Sequence, residues 1–117
     1  GWFDAVATRH AAMVNGIDEL AITNVDGLDT VKVIRVCTAY EVDGKRLHHI
    51  PNDIEVLARC QAVYEEFPGW ETPTDGIRKW EDLPVNCRHY LLSISQMTGA
   101  RLTITSVGPA REQTMFL

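Results

Sequence analysis

The stretch Val31–Val42 constrains this chain more than any other segment. Its β-branched and aromatic residues are dense, and Ile34, Val36, Thr38, Tyr40 and Val42 alternate along one face, the period of a half-buried strand. Asp43-Gly44 follows. Both central positions of a type I′ turn need positive φ, so the segment predicts a hairpin that returns along Lys45–Ile50 and ends at Pro51.

Helical periods flank this hairpin. Asp4 is placed to cap a helix over Ala5–Asn15 with the apolar stripe Phe3, Val6, Ala7, His10, Met13 and Val14, stopped by Asn15-Gly16. Leu20–Val25 reads as a short strand and Asp26–Asp29 as a turn. Asn52 and Glu55 have the spacing of a capping box, which predicts a short helix to about Cys60. Gln61–Phe67 reads as a strand closed by Pro68-Gly69, and Trp70–Leu83, with its Thr72-Pro73 and Asp75-Gly76 turns, as a loop. Asp82 and Pro84 open a helix whose stripe is Leu83, Cys87, Tyr90, Leu91, Ile94 and Met97, ended by Gly99. A last strand, Arg101–Val107, runs into Gly108-Pro109 and a polar tail. Short strands interleaved with three helices, without repeats or linkers, predict a mixed α/β (α+β) fold: one domain over residues 1–117 with a mixed β-sheet that includes the hairpin.

Composition removes several classes of function. There are 11 Lys+Arg against 16 Asp+Glu, a net charge of −5, and the basic residues are scattered, which argues against a nucleic-acid surface. Apolar runs fall short of the ~20 residues of a membrane helix and no basic-then-apolar leader precedes them, so a soluble chain is expected, with no membrane partner. The 3 cysteines lack a CxxC and fit reduced thiols in a cytoplasmic protein better than disulfides or a zinc site. Cys87 reads as a small buried hydrophobe. Of the 4 histidines, His48 and His49 are adjacent on the expected return strand and would point to opposite faces. His10 lies on the stripe of the first helix and His89 beside that of the last, so all read as packed or solvated and not as metal ligands. Glu65-Glu66 and Glu81-Asp82 read as solvated faces. No nucleophile elbow, phosphate loop, H-E-x-x-H helix or dinucleotide fingerprint occurs.

Two loops that follow strands remain. Thr23-Asn24-Val25-Asp26 places a carboxylate where a sheet rim can present it. One carboxylate can accept from both the N1–H and the 2-amino group of guanine, a donor pair that adenine lacks. A desolvated Asp26 would therefore reject adenine. Ser106-Val107-Gly108-Pro109 offers a hydroxyl, and at Gly108 a backbone that a planar ligand can approach closely. On spacing alone both signals are weak, and ordinary turn capping explains each loop better.

Taken together, Gly1-Trp2-Phe3-Asp4, Met13-Val14-Asn15-Gly16, Thr23–Asp29, Ala39–Arg46, Val63–Trp70 and Ser106–Thr114 occur in an order that resembles the C-terminal part of adenylosuccinate synthetase. The resemblance implies a GTP-dependent ligase of purine biosynthesis, a cytoplasmic homodimer that needs Mg2+. Such an enzyme phosphorylates the 6-oxygen of IMP with GTP and displaces that phosphate with L-aspartate, giving adenylosuccinate, GDP and phosphate. It further implies that Asp26 reads guanine, that Asn24 stands where the loop usually carries Lys, and that Ser106 and Gly108 belong to the second guanine-contacting loop. Trp2 and Asp4 match a block just after an arginine-rich stretch, which would lie upstream of Gly1. The phosphate loop, the catalytic Asp and His and the magnesium ligands are also expected upstream, so the resemblance implies no catalytic residue and no metal ligand within this segment. The expectation is a fragment inert on its own, which would self-associate through surfaces such as Trp2, Phe3 and Met115-Phe116-Leu117. The alternative is a free-standing α/β binding or interaction module that keeps the scaffold without the chemistry.

Overall fold

A computed structural model describes residues 2–117, so Gly1, at the head of the first resembling block, lies outside the described residues. The elements are β1 (Phe3–Asp4), α1 (Ala5–Asn15), β2 (Glu19–Ile22), β3 (Val33–Val42), β4 (Lys45–Leu47), α2 (Ile54–Arg59), β5 (Gln61–Pro68), α3 (Val85–Thr98), β6 (Arg101–Ser106) and β7 (Thr114–Phe116). The mixed α/β class and the three helices expected from the periodicity are present, but the strands form two sheets and not one.

β3 is the spine of the first sheet. β5 pairs antiparallel along one edge of it, from Val33↔Pro68 to Glu41↔Gln61, while β4 and the short parallel strand β1 share the other edge. That sharing cuts the hairpin short. β4 pairs as far as Tyr40↔Leu47, and the next stretch of edge is already taken by β1 at Val36 and Cys37. His48 and His49 therefore sit in an exposed bend beyond the strand, not on opposite faces of it. Asp43 and Gly44 both have positive φ, as the turn chemistry requires. In the second sheet β6 lies between β2, parallel to it, and β7, antiparallel to it.

The expected polar tail is thus partly a strand. Three residues are too few to carry a period, yet β7 pairs Thr105↔Met115 and buries the Met115 side chain. β2 is shorter than the expected Leu20–Val25, because Asn24 turns left-handed and Val25 begins a single 3-10 turn over Val25–Leu28. Further single turns occupy Trp80–Asp82 and Arg111–Gln113.

α3 joins the two sheets. Cys87, Tyr90, Leu91 and Ile94 are buried between Ile34, Val36 and Phe67 of the first sheet and Leu102 and Met115 of the second, with Val25, Trp70 and Val107 closing the cluster. Tyr90 stands edge-on to Phe67 at 6.1 Å between ring centroids and tilted to Trp70 at 5.9 Å. His89 lies against Phe67 at 5.7 Å, beside the stripe as expected.

α1 packs on α3 and β3, though not by the face expected. Its buried residues are Ala5, Val6 and Ala12, while Met13 and Val14 are mostly exposed. Small alanines let the helix axis approach its neighbours closely, and a ranking by hydrophobicity undervalues them. α2 starts one residue later than expected: Asp53, not Asn52, is the cap, its Oδ1 accepting from Glu55 N–H at 2.8 Å. Among the described residues no helix is long and apolar enough to cross a membrane.

Candidate functional site

β2 and β6 run parallel as far as Ile22↔Thr105, with a one-residue register shift between Leu20 and Ala21, so the segments that leave their C-terminal ends emerge side by side. These are the two loops singled out in the sequence. The Asn24 N–H donates to Ser106 Oγ at 2.9 Å, a contact between residues 82 apart in the chain. Asn24 itself has φ 56° and ψ 46°, the left-handed region that Asn tolerates better than most residues. The Ser106 hydroxyl is buried, accepts this bond and keeps its own proton for another acceptor.

Asp26 sits in the 3-10 turn just past Asn24 and is half-buried. Its Oδ1 is buried and has no hydrogen-bond partner among the described residues. Desolvating an acceptor without a donor costs about 1–3 kcal/mol, and more when it is charged. Thr105 Oγ1 and Arg88 Nε share this condition, but neither residue lines the recess in which Asp26 stands. That recess, about 540 Å3, is walled by Asp26, Asp29, Thr30, Glu71, Thr72 and Pro73.

Gly108 is buried, and its lack of a side chain has a reason within the chain. A Cβ there would run into the Gln113 amide, which lies directly over the glycine and would have to move aside. Gln113 Oε1 accepts from Ala110 N–H at 2.9 Å and Nε2 donates to the Asp75 carbonyl at 3.2 Å. Val107 N–H bonds the Gln113 carbonyl at 3.0 Å, so the second loop is closed by the residue just before β7.

Asp29 holds the first loop in a comparable way. Its carboxylate accepts from Trp70 Nε1, Thr74 N–H and Thr74 Oγ1, each at 2.7 Å, and its own N–H donates to the Asp26 carbonyl at 3.1 Å. Sequence reasoning took Asp29 for a turn residue and Gln113 for part of the tail. Their partners lie 41, 45 and 38 residues away and follow no local pattern, so only the fold reveals them.

The remaining reactive groups lie elsewhere. Burial pushes the Cys87 thiol up to about 12, which keeps it protonated and unreactive at neutral pH. Arg9, His10, His48 and His49 border an exposed recess of about 260 Å3 on the α1 side. Among the described residues no three His, Cys, Asp or Glu side chains are grouped to hold a metal ion. A larger recess of about 690 Å3, lined in part by Trp80, Leu92, Leu102 and Phe116, contains none of the residues expected in the site.

Chemically, the rim brings together an unpartnered carboxylate oxygen, a serine hydroxyl and, under the Gln113 amide, the Gly108 backbone, on two adjacent loops. Comparison with known proteins agrees with the order of motifs. A family model described as adenylosuccinate synthetase matches residues 1–115. The chain is 50% identical over 117 residues to an adenylosuccinate synthetase of Brevibacillus brevis and 44% identical to one of Streptococcus gordonii, covering 100% of this chain and 27% of each relative. It superposes with a TM-score of 0.92 and 26% identity on a structure of fully ligated adenylosuccinate synthetase from Plasmodium falciparum, again over 100% of this chain and 28% of that one. The chain thus spans about a quarter of the length of the relatives it matches. A family model over nearly every residue, and a fold superposing from end to end, place this chain in the adenylosuccinate synthetase family.

Proposed function

We propose that this chain is the guanine-reading, C-terminal part of a GTP-dependent ligase that joins IMP and L-aspartate into adenylosuccinate, with release of GDP and phosphate. The observation that carries this reading is that Asp26 lines a recess, two residues past the Asn24 N–H that bonds Ser106, while its buried Oδ1 has no partner among the described residues. Guanine presents two adjacent donors, N1–H and the 2-amino group, and a carboxylate can take both in parallel. Adenine presents an acceptor at N1 and would leave the carboxylate desolvated and unpaired. Ser106 and the Gly108 backbone complete the base contact on the second loop. Asn24 contributes its backbone rather than its side chain, which is shorter than the Lys expected in the family loop.

In this reading the chain binds and orients the base, and the reaction itself runs on residues outside it. Among the described residues no three His, Cys, Asp or Glu side chains are grouped to hold a metal ion, and in this reading Mg2+, phosphate, IMP and L-aspartate are held by the rest of the protein. The full protein would act as a cytoplasmic homodimer, and residues 1–117 would form one folding unit of it.

Asp26→Asn in the full-length protein tests the reading. It keeps the shape but turns one acceptor into a donor. The expected result is a KM for GTP raised roughly ten- to hundredfold and a weaker preference for GTP over ATP, with KM for IMP and L-aspartate unchanged. An unaltered nucleotide preference would leave Asp26 as a turn residue only.

A further inference from the structure

We propose that Asp29, Thr74 and Gln113 are positioning residues that lock the two base-contacting loops to each other through the segment Trp70–Asp75, and so set how strictly the base is read. The proposal rests on the guanine reading above and names the devices that hold that site.

The two loops share few direct links. The Asn24 N–H to Ser106 Oγ bond joins their first residues, at the ends of β2 and β6. Farther out, where Asp26 and Gly108 lie, the connection is indirect and runs through a third segment. On the first loop, Asp29 takes three donors from Trp70 and Thr74 and ties its own N–H to the Asp26 carbonyl. On the second, Gln113 lies over Gly108, holds Ala110 N–H and reaches the Asp75 carbonyl. Thr74 and Asp75 are consecutive, so one peptide unit separates the tie to the first loop from the tie to the second.

These ties are built for rigidity. Thr74 is fully buried, and Trp70 is anchored against Tyr90 of α3 while its indole N–H is held by Asp29. Bonds from three donors to one carboxylate fix both its position and its orientation. The same segment supplies Glu71, Thr72 and Pro73 as the wall of the recess facing Asp26. Discrimination between bases that differ by one amino group depends on placing the acceptor correctly to a fraction of an ångström. A change at Thr74 or Gln113, neither of which lines the recess, would therefore act on Asp26 through the strap.

The test compares GTP with ITP, whose base lacks only the 2-amino group, as substrates of the full-length protein. The variants are Thr74→Val, Thr74→Ser, Gln113→Ala and, as reference, Asp26→Asn. Thr74→Val removes the hydroxyl donor at constant shape, and Gln113→Ala removes both amide ties. The expected result is a ratio of kcat/KM for GTP over ITP that falls roughly two- to thirtyfold in Thr74→Val and Gln113→Ala, recovers in Thr74→Ser, and is accompanied by unchanged KM for IMP. A purely structural loss would lower the amount of active protein for both nucleotides and leave their ratio intact. If Asp26→Asn shifts the ratio while Thr74→Val and Gln113→Ala do not, the strap proposal is wrong and the guanine reading stands. If Thr74→Ser loses as much as Thr74→Val, the effect is packing, and the proposal is again overturned. If Thr74→Val does not fold, Gln113→Ala decides alone. If Asp26→Asn itself leaves the ratio unchanged, the guanine reading fails and takes this proposal with it.

Discussion

On the proposed reading, Asn24 is a position where the backbone and the ligand pull in opposite directions. Its left-handed φ of 56° favours Asn over Lys by up to about 1 kcal/mol, whereas a Lys there would bring a cationic stem to the nucleotide. Asn24→Lys in the full-length protein should lower KM for GTP and, at the same time, lower Tm by a few degrees. Kinetics and a thermal melt on the same preparation check both halves, and a variant that melts lower without binding GTP more tightly would remove the side chain from the nucleotide contact. Asp26 was legible as a candidate from the sequence because a carboxylate after a short strand is a chemical statement, whereas Asn24 was a candidate only through the family resemblance. Ser106 and Gly108 were legible only as a turn with small residues. The Gln113 amide lies over Gly108, so any side chain there would displace it, a contact that no local spacing announces.

At the scale of elements, the sequence carried the long periods and lost the short ones. The helix limits Ala5–Asn15 and the cap at Asp4 follow from one strong N-cap and one strong stop, and both are as expected. β7 was missed because a three-residue strand has no measurable alternation, and the length of β4 was overestimated because the competitor for its edge, β1, lies near the start of the chain. Asp4 links these elements: its Oδ1 caps α1 through Ala7 N–H at 2.9 Å, and its Oδ2 accepts the Tyr40 hydroxyl at 2.6 Å. Desolvation by burial, together with that bond to Asp4, raises the Tyr40 pKa above the ordinary phenol value. Asp4→Ala removes the cap and leaves the Tyr40 hydroxyl without its acceptor, a combined loss of about 1–3 kcal/mol. Tyr40→Phe removes only the second contact and should cost less. Urea midpoints of the two variants measure the difference, and equal losses would show that the cap contributes nothing.

For the whole molecule, burial of α3 between two sheets has a consequence in alkali. Cys87 and Tyr90 are pushed by desolvation from ordinary values of 9.0 and 10.0 up to about 12. Both stay neutral in the folded state while the unfolded chain ionises, so the stability they represent is intact below pH 9 and is lost as pH rises from there toward 12. The slope approaches about 1.4 kcal/mol per pH unit for each group. Cys87→Ala should flatten the fall in urea midpoint between pH 9 and 10 relative to the parent, and an unchanged slope would place the thiol in contact with solvent. Mostly exposed Met13, Val14 and Phe116, and partly exposed Trp2 and Leu117, lie outside this core. Of the Met115–Leu117 end, only Met115 is withdrawn from any associating surface, because β7 buries it. The central claim concerns the rim above that core: that Asp26 reads guanine. A crystal structure of the full-length protein with GTP tests it most directly. The account predicts the Asp26 carboxylate at about 2.7–3.0 Å from both guanine N1 and the 2-amino nitrogen, with Ser106 and Gly108 on the other side of the base. A guanine ring bound elsewhere, with Asp26 Oδ1 still buried and unpartnered, would contradict it.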